Sequence, residues 1–156
     1  MTDESLDWVA VSADGLRPDE LSDWVTRPDC GAVVTFCGTA RTTSTLPHEI
    51  LELEYDTDVD LAESRIWRVS VAAREHWPVV RAIAIHHRIG VVPVREPAVV
   101  VAVSSPHRRE AFEAAQFCID AVKRTVPMWK REVWRDGSAW SQEAQEILDV
   151  SDLEAP

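Results

Sequence analysis

Cysteine and long apolar runs are both scarce in this 156-residue chain. The three cysteines, Cys30, Cys37 and Cys118, are odd in number and widely spaced, which argues against a disulfide framework and against a zinc site. No apolar run approaches the roughly 20 residues that a membrane-spanning helix needs. The N-terminal sequence is acidic, unlike that of a secretory signal peptide. We therefore expect a cytoplasmic protein without a membrane partner.

Basic residues are also in the minority, with 16 lysines and arginines against 27 acidic residues and a formal net charge of −11. This charge argues against general nucleic-acid binding, whose affinity comes mainly from neutralising phosphates. No G-x-G-x-x-G or Walker lysine loop follows a predicted strand, which disfavours the nucleotide-cofactor folds. The length, the hydrophobic content of 46% and the lack of repeats are typical of one globular domain.

The bases that are present concentrate between Ser104 and Glu132. This stretch contains six lysines and arginines and four acids, a balance of +2, which leaves −13 for the rest of the chain. A cationic region in an acidic protein indicates a site for an anion. A solvated basic helix face would have the same composition, so both interpretations stay open.

The same stretch predicts one long helix that ends at a proline. Ser104 or Ser105 is a suitable N-cap, and Pro106 suits the first helical position. Pro127 cannot continue the helix and disfavours helical geometry in the residue before it. The apolar residues at helical spacing, which are expected to face the core, are Phe112, Ala115, Ile119, Val122 and Val126.

The order of elements along the chain predicts an α+β fold, a single domain with a mixed, largely antiparallel sheet and two long helices. Strands are predicted over 7–12, 31–37, 50–55, 80–86 and 98–104, and the earlier helices over 18–26 and 58–77. The run 31–37 is β-branched and aromatic, which predicts a strand buried on both faces. Asp136-Gly137 predicts a hairpin turn. The tail, 141–156, has five acids and no base, and predicts a short helix or a peptide that orders on a partner.

Two polar segments beside strands are candidate sites. In the loop 38–44, glycine permits close backbone approach and Arg41 offers a planar fork for a phosphate or carboxylate, although an ordinary connection would look similar. Cys37 is better explained as a buried structural cysteine than as a nucleophile. His86 and His87 point to opposite faces of a strand, so they do not readily share a metal. We interpret them as hydrogen-bonded structural residues.

Lys123 and Lys130 flank the Pro127 break, so the chain can fold back and direct both amines into one pocket. A lysine that is partly desolvated or close to other cations has a lowered pKa and can act as an acid–base group or attack a carbonyl. Trp129 would form a wall of that pocket. The alternative is that Lys130 and Arg131 only flank a buried Trp129.

His107 lies sixteen residues before Lys123, which is about 24 Å along a helix axis. One small ligand cannot span that distance. Either the two ends of the helix serve different purposes, or His107 and Arg108 of one subunit meet Lys123 and Lys130 of another. The second arrangement predicts a symmetric dimer with two composite sites.

Together, these segments resemble the large, catalytic subunit of molybdopterin synthase, the MoaE family. The resemblance runs over roughly residues 7–140, in the family's order. Its most specific part is Val-Pro-Met-Trp-Lys-Arg-Glu at 126–132, with Lys123 seven positions before Lys130. The other matching pieces are 31–36 with 38–41, 87–90 with 92–94, 104–108, 112–114 and 137–140.

The resemblance implies a sulfurtransferase of molybdenum-cofactor biosynthesis, with no cofactor or metal of its own. Such enzymes convert cyclic pyranopterin monophosphate into molybdopterin by installing a dithiolene. The sulfur comes from the C-terminal Gly-Gly thiocarboxylate of a small ubiquitin-like subunit. A homodimer of large subunits within a heterotetramer and an α/β-hammerhead-like fold are also implied, with residues 1–140 as the catalytic-subunit-like domain and 141–156 as an acidic tail.

By position, the resemblance implies that Lys123 and Lys130 are catalytic and that Lys130 also contacts the thiocarboxylate tail. The substrate-binding residues that it implies are Thr39, Ala40, Arg41, His107, Arg108, Lys123, Lys130, Arg131 and Glu132. A cyclic phosphate suits arginine and histidine donors, and lysines can stabilise the negative charge that develops in acyl transfer. A non-catalytic anion-binding or scaffold module of the same fold is the alternative.

Overall fold

The computed structural model describes residues 6–141 and 147–153. Its strands in chain order are β1 (Asp7–Ser12), β2 (Ala32–Thr39), β3 (Glu52–Asp56), β4 (Ile83–Arg88), β5 (Gly90–Pro93), β6 (Pro97–Ser105), β7 (Trp129–Trp134) and β8 (Gly137–Trp140). Its α-helices are α1 (Pro18–Val25), α2 (Val59–His76) and α3 (Arg108–Thr125). None of the helices described is both long and apolar enough to cross a membrane.

The strands form two four-stranded sheets. The first has the order β1-β4-β6-β2 and is mixed, because β1 and β4 are parallel while the other pairs are antiparallel. The second has the order β5-β3-β7-β8 and is antiparallel throughout. The predicted α+β class, with largely antiparallel pairing and two long helices, is confirmed.

The first sheet is covered on both faces. Alternate residues of β4 and β6, among them Ile83, Ile85 and Val101, pack against α2 and α3. The residues between them, such as Ala84 and Ala102, pack against α1. Strand β6 is buried from its second residue to its end, because it lies between β4 and β2 and has helices on both of its faces.

The expectation that the 31–37 run is buried on both faces was wrong. β2 is an edge strand that pairs only with β6, and Val33 and Phe36 remain 39% and 37% exposed. Cys37, expected to be buried, is exposed as well. An apolar, β-branched composition predicts a strand but does not say whether that strand lies at the centre or at the edge of a sheet.

The long helix begins later than predicted. Ser104 and Ser105 extend β6 and are fully buried, and the Ser104 hydroxyl accepts a hydrogen bond from the Ala82 amide at 3.1 Å. His107 takes the N-cap position without a side-chain cap. Phe112, expected on the buried face, is 62% exposed. The small residues that instead form the first half of that face are Ala111, Ala114, Ala115 and Cys118.

Part of the acidic tail packs on its own chain. Val150 begins a short 3-10 helix, Val150–Asp152, and is buried in the core between α2 and α3. The Arg68 guanidinium donates two hydrogen bonds to the Asp149 carboxylate, at 3.0 and 2.7 Å. The predicted short helix is therefore a single turn, and it orders against this chain. The rest of the tail, 142–146 and 154–156, lies outside the described residues.

Candidate active site

Lys123 and Lys130 line one cavity of about 360 Å³. They are the only two lysines in the sequence, which has fourteen arginines. Lys123 lies in the last turn of α3 and Lys130 is the second residue of β7. The predicted juxtaposition of the two side chains is therefore found, whereas their roles in a reaction stay a prediction.

The break between α3 and β7 brings the two lysines to the same cavity. The helix ends at Thr125, Val126 is extended, and Pro127 has no N–H to continue the helical ladder. The Thr57 hydroxyl, from the segment between β3 and α2, donates to the Pro127 carbonyl at 2.6 Å. The chain then enters β7, which runs antiparallel to β3.

Pairing with β3 determines which side chains of β7 face the cavity. Lys130 lies opposite Tyr55, and Arg131 lies opposite Glu54. Because successive side chains of a strand point to opposite faces, Lys130 and Glu132 share a face with Tyr55 while Arg131 points away. Arg131 forms an ion pair with Glu54 on that other face. Its guanidinium also lies over the ring of Trp140, 5.9 Å from the centroid, and Trp140 lines the cavity. The predicted role of Arg131 in substrate binding stays a prediction.

Glu132 is buried next to the cavity and holds a neighbouring loop. The Ser44 hydroxyl donates to its carboxylate at 2.9 Å, which ties the segment after β2 to β7. Burial and the charge of Glu132 raise the pKa of Tyr55 to about 12, so the Tyr55 phenol is protonated and can donate a hydrogen bond at neutral pH.

The segment Thr39-Ala40-Arg41 is held by its backbone. Ala40 is buried, and its amide donates to the Glu96 carbonyl at 3.0 Å while its carbonyl accepts from the Arg95 amide at 2.8 Å. Thr39 ends β2, and Arg41 is exposed. The lysine cavity is not lined by this segment.

His107 and Arg108 lie at the opposite end of α3 from Lys123, and both are exposed. The Gly31 amide donates to the Pro106 carbonyl at 3.2 Å, which places this end of the helix beside the start of β2. Within one chain, His107 and Arg108 are therefore separated from the lysine end of α3 by about the length of the helix, roughly 24 Å. The predicted composite site remains a prediction about two copies.

His87 and Tyr55 line the lysine cavity but were not predicted as site residues. The His87 Nδ1 hydrogen-bonds the Arg88 carbonyl at 2.8 Å, so the expected structural hydrogen bond exists. His86, on the opposite face of β4, packs against Trp8 with ring centroids 4.4 Å apart. Its buried Nε2 has no hydrogen-bond partner among the described residues, so the expected hydrogen bond is not found for His86. The sequence indicated that the two rings diverge, but not which of them faces a cavity.

The cavity suits an anionic or acylating group. Two amines can stabilise developing negative charge, a phenol can donate a hydrogen bond, and Trp129 and Trp140 form exposed aromatic walls. Among residues 6–141 and 147–153, no group of three or more His, Cys, Asp or Glu side chains could hold a metal ion.

Known proteins are similar to this chain in sequence and in fold. The sequence model of the MoaE protein family matches residues 11–125. The molybdopterin synthase catalytic subunit of Taeniopygia guttata is 39% identical over 140 residues, which cover 90% of this chain and 90% of that protein. The crystal structure of molybdopterin synthase from Staphylococcus aureus has a TM-score of 0.80 at 33% identity, covering 86% of this chain and 96% of that one.

A more distant structure has the same fold. It is a complex of subunits 1 and 2 of the molybdopterin-converting factor from Helicobacter pylori, with a TM-score of 0.71 over 97% of this chain and all of that one. Its identity to this chain is 19%, so it supports the fold alone. The family match and the close relatives together show that this chain belongs to the MoaE family, the family of molybdopterin synthase catalytic subunits.

Proposed function

We propose that this chain transfers sulfur from a thiocarboxylated small subunit to cyclic pyranopterin monophosphate, forming the dithiolene of molybdopterin. The proposal is supported by one observation in particular: in this member of the MoaE family, the two lysines of the sequence line the same cavity. Lys123 and Lys130 are its catalytic residues, and they stabilise the negative charge that develops as the thiocarboxylate reacts. We place this reaction in the cytoplasm.

The cysteines of the chain support an external sulfur source. None of them lines the lysine cavity. Desolvation raises the pKa of all three thiols, partial for Cys30 and Cys37 and complete for buried Cys118, whose pKa rises to about 12, so little thiolate is present at neutral pH. A partner that brings its own activated sulfur removes the need for a nucleophilic cysteine.

The cavity also suits the tail of a small partner. A C-terminal Gly-Gly segment has no side chains, so it can pass between the walls formed by Trp129 and Trp140 and bring its thiocarboxylate to Lys130. The Helicobacter pylori structure of the same fold is a complex of two different subunits. We extend that arrangement to this chain, as a heterotetramer built on a homodimer.

The pterin-binding half of the site then comes from two chains. His107 and Arg108 of one copy approach the lysines of the other, and the cyclic phosphate is bound by arginine and histidine donors, including Arg41 with Thr39 and Ala40. Glu132 supports this site by holding the loop that follows Arg41.

The proposal predicts that Lys123→Ala and Lys130→Ala fold normally yet lose most activity. Removing a donor that stabilises transition-state charge costs about 100- to 1000-fold in turnover. The measurement is molybdopterin formation, followed by mass spectrometry, with purified chain, thiocarboxylated small subunit and the cyclic pterin. Circular dichroism and thermal unfolding establish that each variant is folded.

Arg124→Ala is the matched control. Arg124 is the cation next to Lys123 on α3, but it does not line the lysine cavity, so its variant should retain activity. Full product formation by both lysine variants would refute their assigned roles. Wild-type chain that binds the pterin and returns it unchanged would instead identify a binding module.

A further inference from the structure

Strand β2 is an open edge of the first sheet. Among the described strands, only β6 pairs with it. It is eight residues long, Ala32–Thr39, and contains no charged residue and no proline. Val33 and Phe36 are 39% and 37% exposed, and Cys37 is exposed as well. The outer row of N–H and C=O groups along such an apolar strand is a template for pairing with another strand.

The other edge strands have features that discourage such pairing. On β1, the opposite edge of the same sheet, the Glu63 carboxylate accepts a hydrogen bond from the Val11 amide at 3.1 Å and so occupies a backbone donor of the strand. The edges of the second sheet, β5 and β8, are four residues long each. Covered donors, charges and short length are the usual protections of a sheet edge. β2 has only a register shift at its last step, between Gly38 and Thr39.

The two ends of β2 lie beside the two halves of the proposed site. At its start, the Gly31 amide donates to the Pro106 carbonyl, next to His107. Near its end, Gly38 lies opposite Val99 of β6, which lines the lysine cavity. Eight residues of strand span about 26 Å. The strand is therefore about as long as the 24 Å or so of helix that separates His107 from the lysines.

A second copy of the chain is the partner that β2 favours. In a contact across a twofold axis, each strand meets its own sequence, so a charged strand would bring like charges together. β2 carries no charge and avoids this repulsion. Antiparallel pairing also exchanges the two ends of the strand. It therefore joins the unlike halves of two sites, which a strand from a different protein would not do.

We propose that β2 pairs antiparallel with β2 of a second copy, across a twofold axis centred on Thr35. Thr35 is the midpoint of residues 32–38, the part of the strand before its register shift. His107 and Arg108 of each copy are then brought to the lysine cavity of the other. This consequence for the site rests on the proposed function, whereas the pairing of the strands does not.

This register can be tested with a disulfide. When Thr35 faces Thr35 of the second copy, Val33 faces Cys37 of that copy. The Cβ atoms of directly opposite residues lie about 4.5–5.5 Å apart, close to the spacing of a disulfide. We expect the Val33→Cys chain, treated with the thiol oxidant diamide, to migrate mostly as a disulfide-linked dimer on a non-reducing gel. Each disulfide forms from two thiols as diamide takes up two electrons and two protons.

Two control variants separate this contact from random collisions. Replacing Cys37 by serine in the Val33→Cys chain should abolish the linked dimer. Leu61→Cys places a thiol on α2, beside the opposite edge strand, at a position that is 43% exposed and so comparable to Val33. It should remain a monomer on the gel. A wild-type chain that is a monomer by light scattering would overturn the proposal. A dimeric Val33→Cys chain that does not cross-link would do the same, because its interface would lie elsewhere.

Hydrogen exchange of the wild-type chain tests the pairing without any substitution. In the dimer, the β2 amides that do not donate to β6 should exchange as slowly as those that do, because they are bonded to the second copy. The outward amides of β5 on the second sheet should exchange rapidly and serve as the reference. Outward β2 amides that exchange as fast as those of β5 would overturn the proposal.

The pairing and the proposed function can fail separately. A cross-linked Val33→Cys dimer that forms no molybdopterin, beside an equally inactive wild type, would refute the proposed function and leave the pairing in place. An active chain without the cross-link and without protected β2 amides would refute the pairing alone.

Discussion

At the scale of single residues, the adjacent histidines of β4 show how a strand assigns two like side chains to different surroundings. His86 faces α1 and Trp8, whereas His87 faces Tyr55 and the lysine cavity. Burial lowers the pKa of each from the ordinary 6.5 to about 4. Both rings are therefore neutral in the folded protein over a pH range in which the unfolded chain protonates them.

These shifts predict that acidification destabilises the fold. Because the folded-state pKa is depressed, the unfolded state binds more protons between pH 6.5 and 4, so the free energy of unfolding falls as the pH falls through that range. From pH 7 to pH 5 we expect a loss of about 2 kcal/mol per histidine. Urea unfolding of the wild type and of His86→Phe at both pH values measures it.

His86→Phe should lose about half of this pH dependence, because one of the two histidines is removed. An equal slope in the variant and the wild type would contradict the prediction and would place the proton uptake elsewhere.

Gly38, at the end of β2, carries a second residue-scale prediction. A Cβ at this position would lie 2.7 Å from a methyl carbon of Val99 on β6, closer than real Cβ contacts permit. We expect Gly38→Ala to reduce the free energy of unfolding by about 1–3 kcal/mol, as overpacking does. Gly15→Ala is the control, since its nearest neighbour would be 3.9 Å away. Thermal unfolding that places both variants at the wild-type midpoint would contradict this.

At the scale of elements, the end of α3 is the feature on which the site depends. A proline stops the helix, and the strand that follows pairs with β3, so lysines seven residues apart reach the same cavity. The docked tail, residues 147–153 of the acidic tail, supports the same helix, because the Leu148 amide donates to the Arg124 carbonyl at 2.9 Å. Ile147, beside it, lines the cavity.

The docked tail yields a prediction about Val150. Its side chain is buried in the core, so Val150→Ala should lower the free energy of unfolding by about 1–2 kcal/mol through the loss of buried methyl groups. Arg68→Ala, which removes an exposed ion pair to Asp149, should have the smaller effect. Denaturant unfolding measures the loss in free energy of unfolding for each variant. A larger loss for Arg68→Ala than for Val150→Ala would show that the ion pair, and not the buried side chain, holds the tail.

At the scale of the whole molecule, the separation of His107 and Arg108 from the lysines makes the proposed site a property of a dimer. Hybrid dimers test this directly. Arg108→Ala and Lys123→Ala subunits with different affinity tags can be co-expressed, and the hybrids isolated with both tags. If each site combines the two chains, a hybrid has one intact site and about half of the wild-type activity.

Two outcomes would contradict a composite site. Hybrids as inactive as the parent variants would mean that each site is complete within one chain. A monomer by light scattering, with full activity in the presence of the small subunit, would do the same.

Much of the fold could be predicted because it depends on local rules. Helix α2 (Val59–His76) lies within the predicted range 58–77, and the Asp136-Gly137 turn joins β7 to β8 as expected. Phe112 and the strand β2 were misjudged for one reason. Periodicity and composition say that a side chain is apolar, but the neighbours that cover it come from distant parts of the chain.

The sequence by itself determined the cationic stretch, the proline that ends its helix, and the family to which these segments belong, because each depends on residue identity and short spacing. Only the tertiary structure decided that Lys130 faces the cavity while Arg131 pairs with Glu54, and that His87 rather than His86 joins the lysines. Those outcomes follow from strand register and sheet order, which are set by long-range packing.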